Sequence, residues 1–305
     1  MAEFRFGNRV ALVTGAGGGL GLQHAKLLAS RGARVVVNDL GGTVAGQDAD
    51  GGAAHRAADE IKEAGGEAVA DTRSVSTPDG AAAMVQTALD TFGRIDIVVN
   101  NAGILRDRSL TKLEPADFDA VIDVHLRGSF LVTQAAFPHL REQRYGRIVN
   151  TTSPAGLYGN FGQANYSAAK AGLIGLTRTV AVEGAKYGVS CNAVSPAALT
   201  RMTEEIMGQL FVDPDGAARL DAAKVSPVVA WLCHEQCALT GQVFGVAGGL
   251  VTKIIIAETR GFFDPDLTIE TVAERVDAIQ NMADLAVPGS VGDSMSLLFD
   301  HYAKP

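Results

Sequence analysis

The feature that most constrains this chain is a regular exchange of two periodicities. Short apolar runs of strand length at residues 9–14, 34–38, 67–71, 95–100, 146–151, 189–194 and 242–246 alternate with helical stretches at 20–31, 78–92, 115–143, 163–187 and 225–234. Parallel neighbours need long crossovers, and helical crossovers cover both faces of the sheet they connect. An α/β fold follows, with a parallel sheet of about seven strands. A length of 305 residues suits one such domain over residues 1–250, with residues 251–305 as a C-terminal extension packed on it. Two segments depart from the alternation. Residues 40–52 form a Gly- and Asp-rich insertion, expected as a surface loop, and the extension holds one expected helix at 269–285.

Thr14-Gly-Ala-Gly-Gly-Gly-Leu-Gly21 joins the first run to the first helix. Glycines there let the backbone approach a pyrophosphate at the helix N-terminus, where unpaired N–H groups and the positive dipole end favour an anion. A plain tight turn would use the same residues, so the turn alone does not decide. Asp39, 18 residues after Gly21 and ending the second run, adds a carboxylate able to accept from both adenosine-ribose hydroxyls and to repel a 2′-phosphate. No Arg or Lys lies within residues 15–20 or directly after Asp39. The expected fold is therefore a Rossmann-type doubly wound sheet binding NAD rather than NADP, with Gly15, Gly19, Leu20, Gly21 and Asp39 as contacts.

Tyr166-Ser-Ala-Ala-Lys170 places a phenol and an ammonium at i and i+4, on one helix face. A phenol with a pKa near ~10 is a poor base at neutral pH, but a cation held close, together with a positive nicotinamide ring, lowers that value. Tyr166 can then take an alcohol proton as hydride leaves for the cofactor. Ser153, thirteen residues earlier at the end of a strand, offers a hydroxyl to hold the substrate oxygen. The same spacing also fits an amphipathic helix surface with a solvated Lys.

Composition narrows the partners. Hydrophobic residues reach 47% and charged ones 20%, enough for a sizeable core and outside the disordered range. The net charge of -8 gives no overall positive field to gather nucleic acid or anionic lipid, so a small-molecule substrate is expected. The longest apolar candidate, residues 243–257, is interrupted by glycines, Thr252 and Lys253, so no membrane span is expected. The first six residues lack a charged region followed by an apolar one, and Tyr-Ala-Lys-Pro305 differs from a Ser-Lys-Leu-type address, so a cytoplasmic location is expected. Three cysteines, an odd number, fit a reducing compartment. Cys233 and Cys237 stand at i and i+4 without a second ligand cluster and read as core, so no metal site is expected.

Taken in order, Thr14 to Gly21, Asn100-Asn-Ala-Gly103, Ser153 and Tyr166 to Lys170 resemble the short-chain dehydrogenase/reductase family over roughly residues 7 to 250. The resemblance implies a catalytic Ser153, Tyr166 and Lys170, with Tyr166 and Lys170 also touching the cofactor. It implies that Asn101 and Gly103 line the adenosine and ribose site. Ser74 and Val75 fall where the family contacts adenine, Ser74 replacing the usual Asp. Pro196, Ala198, Leu199 and Thr200 fall in the segment that orients the nicotinamide carboxamide. Many members place Asn, holding a water in a proton relay, where this chain has His125. His125 can serve that relay as donor or acceptor, or pack beneath the site; both readings stand.

A narrower resemblance, through Asn38 to Gly42, Gly103 to Arg108, Val124 to Phe130, Leu157 to Tyr166 and Trp231 to Glu235, is to the dehydrogenase part of the type 2 peroxisomal multifunctional enzymes. It implies oxidation of a (3R)-3-hydroxyacyl-CoA to the 3-ketoacyl-CoA, with 17β-hydroxysteroids as alternative substrates. Arg106 and Arg108 then read either as contacts for coenzyme A phosphates or as solvated loop charges. An NAD-using sugar-nucleotide dehydratase or epimerase shares Tyr-x-x-x-Lys but needs a larger C-terminal substrate domain. A nonenzymatic NAD-binding scaffold tends to lose the Tyr or Ser that stand here. Helices 115–143 and 163–187 resemble those that family members pair across a two-fold axis. Ala171, Leu173, Ile174, Leu176, Val180 and Ala181 spread apolar surface widely round the second of them, so a homodimer or homotetramer is expected.

Overall fold

The computed structural model describes residues 3–47, 49–200 and 218–302. The chain divides into two compact units, Met1–Lys253 and Ile254–Pro305. In the first unit β1 (Val10–Thr14), α1 (Gly19–Ser30), β2 (Arg34–Asn38), α2 (Gly52–Glu63), β3 (Glu67–Asp71), α3 (Pro78–Phe92) and β4 (Ile97–Asn100) form the first half of the sheet. The second half follows as α4 (Pro115–Ile122), α5 (Gly128–Glu142), β5 (Gly146–Thr151), α6 (Pro154–Tyr158), α7 (Ala164–Gly184), β6 (Val189–Ala197), α8 (Ser226–Cys233), β7 (Val243–Ala247) and β8 (Leu250–Ile254). The strand order β3-β2-β1-β4-β5-β6-β7-β8 is doubly wound, and every pair from β3 to β7 is parallel.

Alternation along β1 divides the core. Ala11 and Val13 pack with Ala25 and Leu28 of α1, Ile61 of α2 and Val229 and Leu232 of α8. Val10 and Leu12 face the other way, onto Met84 of α3, Leu140 of α5 and Val180 of α7. Strands buried on both faces explain the uninterrupted Val and Leu runs, since each fully buried aliphatic side chain contributes about 1.5–3 kcal/mol. The chain reverses direction across the sheet between β1 and β4, so the loops after these strands part and leave a crevice at their carboxyl ends.

Four details differ from the sequence expectation. The sheet gains an eighth strand: Gly248 and Gly249, both at positive φ, join β7 to β8, and a two-residue connection allows only an antiparallel hairpin. The long helix expected over 115–143 contains a π-helical turn, Asp123–Arg127. In the second unit the expected helix 269–285 is two short helices, Ile269–Glu274 and Val276–Gln280, and Leu285 lies in a two-residue strand paired antiparallel with Glu258–Thr259. A further helix, Val291–Tyr302, follows. Finally, the insertion after β2 is not a free surface loop: Leu105 N–H donates to Val44 O at 2.9 Å, so the segment leans on the loop after β4. Among the described residues no helix is long and apolar enough to cross a membrane.

Candidate active site

A cleft of about 510 Å³ opens at the carboxyl ends of β1 and β4, and the glycine turn forms its floor. Gly15 (φ +64°) and Gly19 (φ +53°) hold left-handed backbone that favours glycine. Gly17 is needed for space, because a Cβ there would lie 2.8 Å from the Asp39 carboxylate. Asp39 Oδ2 accepts the Gly17 N–H and Oδ1 the Gly41 N–H, each at 2.8 Å, so the carboxylate is fixed by backbone before any ligand arrives. Asn101 stitches the two sides of the crevice: its Nδ2 donates to Thr14 O at 3.0 Å and Gly15 O at 3.1 Å, and its N–H to Thr14 Oγ1 at 3.0 Å.

The wall opposite comes from β5, α6 and α7. Ser153 caps α6, its Oγ accepting the Ala155 N–H at 3.2 Å, and its hydroxyl stands near enough to the Tyr166 phenol to favour the phenolate. Lys170 is 3% exposed; its Nζ donates to Thr151 O at 2.5 Å and lies 5.5 Å from the Tyr166 ring centroid. Thr152 Oγ1 donates in turn to Lys170 O at 2.6 Å, binding the end of β5 to α7. Burial pushes the Lys170 ammonium down to about 7, so near neutral pH it is divided between charged and uncharged forms. Burial also raises the Tyr166 phenol; the Ser153 hydroxyl opposes this and the Asp107 carboxylate adds to it. Within the protein alone desolvation is the largest influence on the phenol, and the lowering expected from Tyr-x-x-x-Lys also calls on the positive nicotinamide ring.

The π-turn delivers His125 under this wall. Its ring meets Tyr166 edge-to-face at 5.2 Å, and Nε2 lies 3.0 Å from Ile104 N and 2.8 Å from Ile104 O. Nδ1 is buried without a hydrogen-bond partner among the described residues. Burial, then the charge of Lys170, holds the imidazole well below its usual pKa, so it is neutral. Gly103 makes room for it, since a Cβ there would strike the ring at Cε1.

The cleft brings together Gly15, Gly19, Leu20, Asp39, Ser74, Val75, Asn101, Gly103, His125, Ser153, Tyr166, Lys170, Pro196, Ala198 and Thr200. Gly21 and Leu199 are not in its lining. Gly21 lies beneath the turn, where a Cβ would press on Gly15 O and Asn101 Nδ2, and Leu199 N–H donates to Leu220 O at 2.8 Å. Sequence reasoning missed Gly42, Thr43, Val44 and Gly46, which line the cleft from the insertion; its glycines were the available signal. It also missed Thr151, which contributes through a backbone carbonyl that no sequence pattern marks. Among the described residues no group of three His, Cys, Asp or Glu side chains is placed to hold a metal ion, and Cys233 and Cys237 are buried.

A dinucleotide fits these residues. A Cβ at Gly19 would enter open cleft with Thr200 as its nearest neighbour, 3.8 Å away, and no side chain caps α1. The turn therefore keeps both space and the helix N-terminus free for an anion. Asp39 and the buried His125 Nδ1 add directed polar atoms along the same cleft.

Comparison with known proteins places this geometry. The family described as short chain dehydrogenase matches residues 9–209. The chain is 48% identical over 307 residues to a peroxisomal multifunctional enzyme type 2 of Drosophila melanogaster, covering 99% of this chain and 50% of that protein. The solved full-length structure of that fly enzyme superposes with a TM-score of 0.80 at 41% identity, over 98% of this chain and 50% of the other. A crystal structure of a short chain dehydrogenase from Mycobacterium avium gives a TM-score of 0.79 at 43% identity, over 92% of this chain and 98% of the other. The chain thus spans about half the length of the fly enzyme and nearly all of the mycobacterial one.

Proposed function

This chain belongs to the short-chain dehydrogenase family, and from that premise we propose that it oxidises a secondary alcohol, a (3R)-3-hydroxyacyl-CoA, to the 3-ketoacyl-CoA with NAD. The observation that carries the reading is one cleft holding Ser153, Tyr166 and Lys170 against a glycine turn and a pre-oriented Asp39. Similarity to a peroxisomal multifunctional enzyme type 2 across 99% of the chain supports the acyl-CoA class. An intact Ser, Tyr and Lys set speaks against a nonenzymatic scaffold. The buried, unpaired cysteines suit a reducing compartment, and the cytoplasm is the location we assign.

Gly15, Gly19, Leu20, Asp39, Ser74, Val75, Asn101, Gly103, Pro196, Ala198 and Thr200 would hold the dinucleotide, with Tyr166 and Lys170 at its nicotinamide end. When bound, the cofactor supplies the hydride acceptor and a positive ring. Ser153 holds the substrate oxygen. Tyr166 takes the hydroxyl proton as the C–H bond breaks, and Lys170, anchored on Thr151 O, stabilises the phenolate. His125, neutral and with an Nδ1 that no described residue engages, would hold a water through which that proton is passed on. NADH fluorescence over a panel of (3R)- and (3S)-hydroxyacyl-CoA thioesters and 17β-hydroxysteroids, with NAD+ and NADP+, tests the reading. Turnover confined to (3R) thioesters with NAD+ is expected; turnover of steroids alone, or of neither class, refutes it.

A further inference from the structure

The insertion after β2 has an architecture of its own. Its base is closed where Gly51 N–H donates to Leu40 O at 3.1 Å, and its tip folds on itself through Gly46 N–H to Thr43 O at 2.9 Å and Thr43 N–H to Gln47 O at 2.8 Å. This is the build of an Ω-loop, a loop with joined ends packed on itself. Because β2 and β4 flank β1, residues 40–47 reach the loop after β4 by crossing the carboxyl end of β1, above the glycine turn. Three contacts hold the crossing: Leu105 N–H to Val44 O at 2.9 Å, Arg106 Nε to Ala45 O at 3.1 Å, and Gly46 set so closely that a Cβ would lie 3.0 Å from Ile104 Cγ2.

Arg106 reaches further. Its Nη1 donates to Asp117 in the first turn of α4 at 3.1 Å, and its carbonyl accepts Asn165 Nδ2 at 3.0 Å. Asn165, wholly buried, accepts the Tyr166 N–H on its Oδ1 at 2.8 Å. One arginine therefore links the crossing loop to the start of α7, which carries Tyr166, and it lines the same cleft.

We infer that residues 40–47 form a strap across the adenosine half of the dinucleotide site and that Arg106 is the positioning residue latching it. The inference rests on the dinucleotide reading above and adds to it a binding segment and a latch. The strap occupies the path by which a dinucleotide lying on the glycine turn would leave. Opening the latch thus accelerates release, and closing it registers the cofactor against the helix that carries Tyr166.

Stopped-flow fluorescence of NADH release tests this. Arg106→Ala is expected to speed release by about ten- to a hundredfold, as loss of a charge-assisted hydrogen bond implies. Arg106→Lys, which keeps the charge but cannot serve two partners in fork geometry, should recover part of that effect. Gly46→Val, which wedges the strap from Ile104, should act in the same direction as Arg106→Ala. Hydrogen exchange on the wild-type protein needs no variant: NADH should protect the Gly46 and Leu105 amides. If wild type binds NADH but the variants release it at the wild-type rate, or those two amides exchange equally with and without NADH, the strap is overturned and the cofactor reading stands. If wild type binds neither NADH nor NADPH, the cofactor reading itself fails and the strap falls with it.

Discussion

Lys170 is an ammonium that folding buries to 3% exposure, and its chemistry carries a stability cost with a defined sign. Its pKa falls from 10.5 in the open chain to about 7 in the fold, so between those values the unfolded state binds the proton and the native state does not. Stability should rise with pH across that window, and the full cost, on the order of a few kcal/mol, is present below pH 7. Lys170→Met should abolish turnover yet raise the melting temperature, with a larger gain at pH 6.5 than at pH 9.5; calorimetry showing equal gains would contradict the burial argument. At Asp39 the better test is Asn rather than Ala. An amide keeps an acceptor for one of the Gly17 and Gly41 N–H groups while removing the charge. Asp39→Asn should weaken NAD+ about tenfold in kcat/KM while leaving NADP+ unchanged or improved, as expected where a single charge sets the preference; an unaltered NAD+/NADP+ ratio would remove Asp39 from that role. Both residues were legible in the sequence because each lies at a fixed distance from a glycine or tyrosine signal. The direction of the Tyr166 shift was not, since it depends on how much desolvation the finished fold imposes.

Among the elements, α6 and α7 set the distance between Ser153 and Tyr166, and Gly156 governs their approach. A Cβ at Gly156 would lie 2.7 Å from the Lys170 backbone carbon, so Gly156→Val should lift α6 and carry Ser153 away from the phenol. Overpacking of this kind costs about 1–3 kcal/mol, and kcat should fall more than cofactor affinity. Loss of NADH binding with kcat preserved would place the helix contact elsewhere. The strands and most helices could be read from period-2 and period-3.6 patterns, since burial on both faces of a parallel sheet leaves long Val and Leu runs. The π-turn at Asp123–Arg127 could not, because one extra residue in a helical turn scarcely alters the apolar pattern; the Gly128 N–H bond to Asp123 O, five residues back, marks it only in three dimensions. The strap escaped for a related reason: its contacts are backbone carbonyls meeting a distant loop, and its polar composition resembles that of any turn.

At the scale of the whole molecule, the doubly wound order gathers the glycine turn, residues 40–46 and the start of α7 round one cleft beside β1 and β4, so a single crevice would serve cofactor and substrate alike. Phe118, Phe130 and Val182 stand 37%, 44% and 72% exposed on α4, α5 and α7, and we propose that a second copy covers this face about a two-fold axis. Sedimentation at micromolar concentration should show at least twice the 31.7 kDa chain mass; a fully active monomer would refute the pairing. The central claim is that Tyr166 moves the proton in an NAD-linked oxidation, and one paired measurement tests it most directly: NADH formation from a (3R)-3-hydroxyacyl-CoA by wild type and Tyr166→Phe, with NADH affinity determined on both. The account predicts rapid NADH formation by wild type, a fall of at least about a hundredfold in the variant, the usual size of a lost general base, and NADH affinity within about threefold of wild type. Near-normal turnover by Tyr166→Phe would contradict it.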